Sequence, residues 1–318
     1  LTRIKKLKIN NVILEASSHG LKQNRLDGLA FNVGIFTNLS HDHLDYHKNF
    51  KNYLNSKLYL FEKLLKKNST LITDNTIPEY KKIKKITLKK KLKIITVSNY
   101  KSDLSIVSHN FVGEKQLIKI KYKNIYYKFT TSLIGKIQIK NMLMSMIAAE
   151  RSNLTFKKII NIANKIKPIY GRLEKVGKIK NKSMVILDYA HTPDALKTCL
   201  QNLKEQFKNR KISIVFGCGG ERDKLKRPKM GKIANYYCDK IFLTDDNPRN
   251  ENPKKIRNYI KKRINKSKLN EIPDREKAIK EAILSLHTGE ILVVAGKGHE
   301  NIQNYGNSNR FFSDKYFI

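Results

Sequence analysis

The second half of the chain alternates short apolar runs with amphipathic stretches at nearly constant spacing. Met184–Asp188, Ile212–Phe216, Lys240–Thr244 and Ile291–Ala295 read as strands. Pro193–Phe207, Pro228–Tyr237, Pro253–Ile264 and Arg275–Leu286 read as helices. Strands alternating with helices predict a parallel, doubly wound α/β sheet. The first half is more mixed. Asn11–Glu15 is a short apolar run ending in an acid and is expected to be a strand; Val33–Asn38 is another, closing on Thr and Asn. Asn52–Lys66 has apolar residues at 54, 58, 61 and 65, which is helical spacing. Lys81–Lys93 is a Lys-rich stretch expected as a solvated helix or loop. Leu104–Thr131 alternates, with β-branched and aromatic residues, and predicts hairpins. Asn141–Glu150 and Phe156–Ile166 read as helices. Pro168 and Gly171 punctuate a linker, so two domains are expected, 1–166 and 167–318.

Each of the four later strands runs into a polar cluster: Asp188-Tyr189-Ala190-His191, Gly217–Asp223, Asp245–Arg249 and Gly296–Glu300. Ligands of open parallel sheets bind outside the carboxyl ends of the strands. These loops are therefore the first place to seek chemistry.

Composition narrows the classes. A chain of 318 residues suits about two domains at ~100–200 residues each. Hydrophobic residues make up 40%, enough for real cores. No run approaches the ~20 apolar residues of a membrane span. The basic stretch Thr2–Lys8 has no long apolar segment after it, so it does not read as a secretory signal. The three cysteines, Cys199, Cys218 and Cys238, show no paired spacing, which argues against a disulfide framework or a Cys-based zinc site and fits a cytoplasmic location. The net charge is +38, carried by 53 Lys and only 12 Arg. Phosphate- and base-reading surfaces favour Arg for its planar fork. Here Lys travels with Ile and Asn in both halves, as drift towards AT-rich codons would produce; a basic field that attracts anionic substrates is the other reading. No aromatic-basic platform supports nucleic-acid binding, and none is expected.

Seven motifs stand in order from about residue 11 to 314. They are Glu15–Leu21, Phe36–His47, Tyr170–Glu174, Asp188–Asp194, Gly217–Asp223, Asp246-Asn247-Pro248-Arg249 and Gly296–Glu300. Together they resemble the Mur ligases of peptidoglycan synthesis, in particular the branch that adds 2,6-diaminopimelate. The resemblance implies a partial P-loop-type central domain followed by a Rossmann-like C-terminal domain. It further implies an ATP-dependent amide ligase. The D-Glu carboxylate of UDP-N-acetylmuramoyl-L-alanyl-D-glutamate would be phosphorylated by ATP, and an amine of meso-diaminopimelate would attack the acyl phosphate. Cations must offset the approach of two anions, and Mg²⁺ is the expected ion.

By resemblance, Glu15, His43 and Lys57 are the catalytic and metal-binding residues. His43 and His47 are also four apart, as in H-E-x-x-H zinc sites, but Leu44 follows His43 where the Glu should stand, so a zinc protease is not expected. His41 and His47 are expected beside the ligands or facing solvent. Lys57 lies between Leu54, Leu58 and Phe61 at the edge of an apolar face. From the residues alone it either snorkels or loses its charge on desolvation and can add CO₂. The resemblance favours a carbamylated lysine holding a second Mg²⁺. Ser17, Gln23 and Arg25 match positions that hold the UDP-linked dipeptide. Arg172, Asp188 and His191 match positions that reach the nucleotide. Arg222, Asp246, Asn247, Pro248, Arg249, Gly296 and Glu300 match the meso-diaminopimelate site. That ligand is zwitterionic at both ends, so a guanidinium for carboxylate and acids for ammonium are the chemistry required, and Arg249 can grip the distal carboxylate bidentately.

The chain also departs from the family pattern. It contains no G-x-x-G-K-[ST] phosphate loop; Gly296-Lys297-Gly298 is the nearest cluster and belongs to the later domain. His41 stands where relatives usually carry Arg. A chain lacking the family's N-terminal domain and phosphate loop is expected, with a complementing N-terminal fragment as a possible partner. The alternative is a non-catalytic remnant that keeps diaminopimelate binding.

Overall fold

A computed structural model describes residues 2–40, 42–177 and 181–318. Its first sheet has six strands side by side in chain order: β1 (Phe31–Phe36), β2 (Leu65–Thr73), β3 (Lys93–Ser98), β4 (Leu104–Val112), β5 (Lys115–Tyr122) and β6 (Ile125–Thr131). β1 to β4 pair in parallel. Two-residue turns then link β4, β5 and β6 as hairpins. The helix Phe50–Tyr59 crosses between β1 and β2 and runs into one π-helical turn, Leu60–Leu64, before β2 begins. Phe61 and Leu58 from this segment pack with Phe36, Leu71 and Ile83 in the core.

Asn11–Glu15 is not a strand. Residues 9–17 have no regular structure, Val12 and Leu14 are exposed, and Ile13 is 99% exposed. An apolar run becomes a strand only where a neighbour satisfies its backbone, and no described strand pairs with this one. The expected helix Asn52–Lys66 ends earlier, because Leu65 already starts β2. Lys81–Lys93 overlaps the helix Tyr80–Lys90, which buries Ile83, Ile86 and Thr87 on one face and so is not wholly solvated.

The second sheet contains β7 (Glu174–Val176), β8 (Met184–Asp188), β9 (Ile212–Phe216), β10 (Lys240–Leu243), β11 (Leu269–Glu271) and β12 (Ile291–Ala295), in the order β11-β10-β9-β12-β8-β7. Only β7 runs antiparallel to its neighbour. Every residue of β8, β9 and β12 is buried, as expected where helices cover both faces. Alternate residues separate accordingly. Met184 and Ile186 join the core under the helices Pro193–Gln206, Lys226–Tyr237 and Pro253–Lys261. Val185 and Leu187 join the core under Arg275–Leu284. The chain steps from β8 over β12's place to β9 and outward to β11, and β12 then returns between β8 and β9. The carboxyl ends of β8, β9, β10 and β12 therefore meet at a switch in strand order, and a small hairpin of β13 (Ile302–Asn304) and β14 (Asn309–Phe311) follows β12. The fold is mixed α/β throughout.

The chain divides into two compact units, Leu1–Asn110 with Leu117–Thr131 and Ile139–Lys165, and Phe111–Gln116 with Ser132–Gln138 and Ile166–Ile318. No helix among the described residues is long and apolar enough to cross a membrane.

Candidate functional site

In the first unit the site residues cluster on two short helices and the loop after β1. Ser17 caps the helix Ser18–Lys22, its hydroxyl accepting from Gly20 N at 3.1 Å. Gln23 Nε2 donates to Tyr46 Oη at 3.0 Å. Arg25 is exposed. His43 sits in the left-handed region (φ 54°), where its backbone N–H donates to Asp42 Oδ1 at 2.8 Å and its ring lies 3.4 Å from Asp42 Oδ2. The His19 ring stands edge-on to it at 4.7 Å. His47 is buried, in contact with Ser18 Oγ at 3.0 Å and Ser56 Oγ at 3.4 Å. Burial, followed by the neighbouring His19 and His43, lowers its pKa, so it supports the loop as a neutral ring and does not face solvent. His41 lies outside the described residues.

Lys57 projects from the helix Phe50–Tyr59 towards the end of β1. Its Nζ donates to the Asn38 carbonyl at 3.0 Å and stands 5.2 Å from the Tyr53 ring centre and 5.8 Å from that of Phe36. Desolvation lowers its pKa, while Asp42 and Glu79 oppose the shift. The His43 ring lies 5.9 Å from the same Tyr53 ring. His43 and Lys57 are thus gathered about Tyr53. Glu15 is exposed in the irregular segment and is tied to neither by any described contact. Among the described residues no three His, Cys, Asp or Glu side chains are arranged to hold a metal ion. As they stand, these groups do not fit a preformed divalent-cation site.

In the second unit the four loops at the carboxyl edge interlock. Asp188 ends β8; its carboxylate accepts from Leu173 N at 2.7 Å and Ala190 N at 2.9 Å, and burial pushes its pKa up to about 6. His191 Nδ1 lies 2.9 Å from the Tyr189 carbonyl. The Arg172 guanidinium stacks over the Tyr189 ring at 4.7 Å. Arg222 is exposed on the loop after β9. That loop lies flat against the one after β10, with Gly220 N donating to the Asn247 carbonyl at 2.9 Å. A Cβ on Gly217 would overlap the Thr244 carbonyl, and one on Gly220 the Pro248 carbonyl. Arg249, at φ 54°, turns its Nη1 to Gly220 O at 2.7 Å.

Acid and amide groups converge next to them. Asp246 is buried, and its Oδ2 has no hydrogen-bond partner among the described residues. Gly296, at φ 113°, leaves the space beside that oxygen open; a Cβ there would come 2.7 Å from it. Asn247 Nδ2 donates to Glu300 Oε2 at 3.0 Å, and Tyr189 Oη donates to Glu300 Oε1 at 3.1 Å. A buried acceptor without a donor is costly, so this oxygen suits a ligand that brings a hydrogen-bond donor such as an ammonium group. Asp188, Asp246, Asn247, Pro248, Arg249, Gly296 and Glu300 thus all stand at one edge of one sheet.

Comparison with known proteins places the chain in a family. The profile of the Mur ligase middle domain matches residues 1–149, and that of the Mur ligase glutamate ligase domain matches residues 171–298. The chain belongs to the Mur ligases. It is 43% identical over 307 residues to the UDP-N-acetylmuramoyl-L-alanyl-D-glutamate–2,6-diaminopimelate ligase of Rickettsia bellii, covering 96% of this chain and 64% of that protein. The corresponding ligase of Buchnera aphidicola is 39% identical over 319 residues, covering 98% and 64%. Among solved structures, a UDP-N-acetylmuramoyl-L-alanyl-D-glutamate–2,6-diaminopimelate ligase superposes with a TM-score of 0.63 at 32% identity, covering 96% of this chain and 62% of that one. The MurF ligase of Thermotoga maritima, solved with ADP, shares the fold at a TM-score of 0.68 and 16% identity, covering 86% and 60%. The chain therefore spans a little under two thirds of the length of these relatives.

Three residues of this candidate site were not singled out from the sequence. Tyr189 carries the contact between Arg172 and Glu300. Gln303 holds the Asp246 carbonyl at 2.8 Å. Lys297, wholly buried, donates to Asn247 and to the Ile302 carbonyl. Tyr189 and Lys297 lie inside recognised motifs, which was the available signal; Gln303, on β13, had none.

Proposed function

We propose that this Mur ligase chain carries the amide-forming chemistry that adds meso-diaminopimelate to UDP-N-acetylmuramoyl-L-alanyl-D-glutamate in the cytoplasm, with residues 1–166 as the ATP-using domain and 167–318 as the amino-acid domain. The observation that carries the reading is the loop cluster of the second unit. Asp246 and Glu300 offer carboxylates to an ammonium group, and Arg249 and Arg222 offer guanidinium groups to carboxylates. A diamino diacid needs both kinds of group together. The names of the relatives support the same ligand.

In this reading Ser17, Gln23 and Arg25 hold the UDP-linked dipeptide, and Arg172, Asp188 and His191 attend the nucleotide. The dipeptide carboxylate takes the γ-phosphoryl group of ATP and releases ADP. The bound diamino acid, as free amine, displaces phosphate from the acyl carbon. Orientation of the amine against the acyl group is the contribution of the second domain. Mg²⁺ is the divalent ion of the reading, and it would supply charge neutralisation on the phosphates. Because Glu15, His43 and Lys57 do not form a metal cage as they stand, no step is assigned to it. The phosphate loop that the chemistry requires is absent from residues 1–318, and a further polypeptide segment supplying it is the implied partner.

Calorimetric titration of the 318-residue chain with meso-diaminopimelate tests the reading. Binding is expected, and Arg249→Ala should weaken it by about two orders of magnitude, or ~3 kcal/mol, the scale of a lost charge-assisted pair. Equal affinity of the variant and its parent, or a parent that does not bind, would remove the assignment.

A further inference from the structure

One lysine in the Gly296–Glu300 loop has no access to solvent. Lys297 is 0% exposed, the most deeply buried lysine among the described residues. Its Nζ is met by the Ile302 carbonyl at 2.6 Å, Asn247 Oδ1 at 3.0 Å and Glu300 Oε2 at 3.4 Å. Burying an ammonium is expensive even when it is paired, and an apolar side chain of the same volume often serves a core equally well. Filling space is therefore a poor reason for a cation here.

Its effect on Asn247 is specific. The two ends of a carboxamide are alike in shape and opposite in polarity. Lys297 Nζ and Asn304 N, each at 3.0 Å, both donate to Oδ1. With two donors at that end the amide has one orientation, and Nδ2 must face Glu300. Glu300 is then held on one side by Asn247 and on the other by the Tyr189 hydroxyl, 3.1 Å from Oε1. If the amide flipped, an oxygen would face the carboxylate and the grip would become a repulsion.

We propose that Lys297 is a positioning residue for amino-acid recognition, locking the Asn247 amide and through it the carboxylate of Glu300 in the orientation that receives an ammonium group of the ligand. The proposal rests on the diaminopimelate reading of this loop cluster. It does not require Lys297 to touch the ligand.

The test uses the full chain with Lys297→Met, which keeps volume and loses charge, and Lys297→Gln, which keeps a donor. Thermal unfolding, calorimetric titration with meso-diaminopimelate, and solvent exchange of the ¹⁵N-labelled Asn247 side-chain amide (identified by its loss in Asn247→Asp) are measured on each. Lys297→Met should stay folded, bind at least 30-fold more weakly, and show faster exchange at the Asn247 amide, with Lys297→Gln between it and the parent. Unchanged affinity in a folded Lys297→Met protein overturns the proposal. So does lost affinity with an unchanged Asn247 signal, or failure of both variants to fold, since Lys297 would then serve only the core. If the parent does not bind diaminopimelate, the ligand reading fails by itself, and the Asn247 exchange still decides whether Lys297 sets the amide.

Discussion

Lys57 shows how little a single residue needs in order to change its chemistry. Two aromatic rings and the end of β1 desolvate its ammonium, which shifts it towards the neutral amine that alone reacts with CO₂. The amine nitrogen would bond to the carbon of CO₂ and release a proton, leaving an anionic oxygen donor where a cation had been. That exchange would add an anionic donor to the groups gathered about Tyr53, which as they stand are not arranged to hold a metal ion among the described residues. A ¹³C-bicarbonate NMR spectrum of the folded chain should show a carbamate resonance that disappears in Lys57→Ala and fades on acidification, since the protonated amine does not react. A spectrum without it leaves Lys57 as an ammonium donor to Asn38.

At the scale of elements, the carboxyl end of β8 does two jobs with one side chain. Asp188 closes the strand and holds Leu173 and Ala190 in place, yet burial raises its pKa from 3.8 to about 6, with Arg172 only partly offsetting the cost. A carboxylate with a raised folded-state pKa contributes stability that is full below its unfolded pKa and is lost as pH rises through the folded one. Two pKa units correspond to ~3 kcal/mol. The difference in unfolding free energy between the parent and Asp188→Asn should therefore move by about that amount in favour of the variant between pH 4 and pH 7, measured by denaturant titration. The strand itself was easy to read, because β8, β9, β10 and β12 are mainly apolar runs set between helices, with Ser213 inside one and Asp188 and Lys240 at the ends of two others. β2 and β3 were not. β2 opens with Leu65-Lys66-Lys67-Asn68 directly after a π-helical turn, so its start continues the helical spacing before it. Asn11–Glu15 misled in the opposite sense, since periodicity reports apolar positions and says nothing of a ladder partner. The Asp-Asn-Pro-Arg loop was legible because its residue types are unusual together. Lys297 was not, because among 53 lysines a buried one has no distinguishing letter.

At the scale of the whole molecule, the two units carry unequal sets of candidate residues. The second holds its loop cluster within its own residues. Phosphoryl transfer, by contrast, rests almost wholly on positioning and electrostatics, and the backbone N–H cradle and lysine of a phosphate loop do not occur in residues 1–318. Phosphate release by the 318-residue chain given ATP, Mg²⁺, UDP-linked dipeptide and diaminopimelate should stay at background, in contrast with the ~1 per second or more of ordinary enzymes. Turnover at that rate would mean that these residues build a triphosphate cradle of another kind. The packing of the loops after β9 and β10 also bears on how such a chain can change over generations. A genome drifting towards A and T turns glycine codons, one G-to-A step at a time, into codons for serine, arginine, aspartate or glutamate. On an exposed helix face such steps are absorbed. At Gly217 and Gly220 every one of these products puts a carbon where a carbonyl oxygen already is, so the pressure that can load the surface with lysine meets a hard stop where these two loops touch.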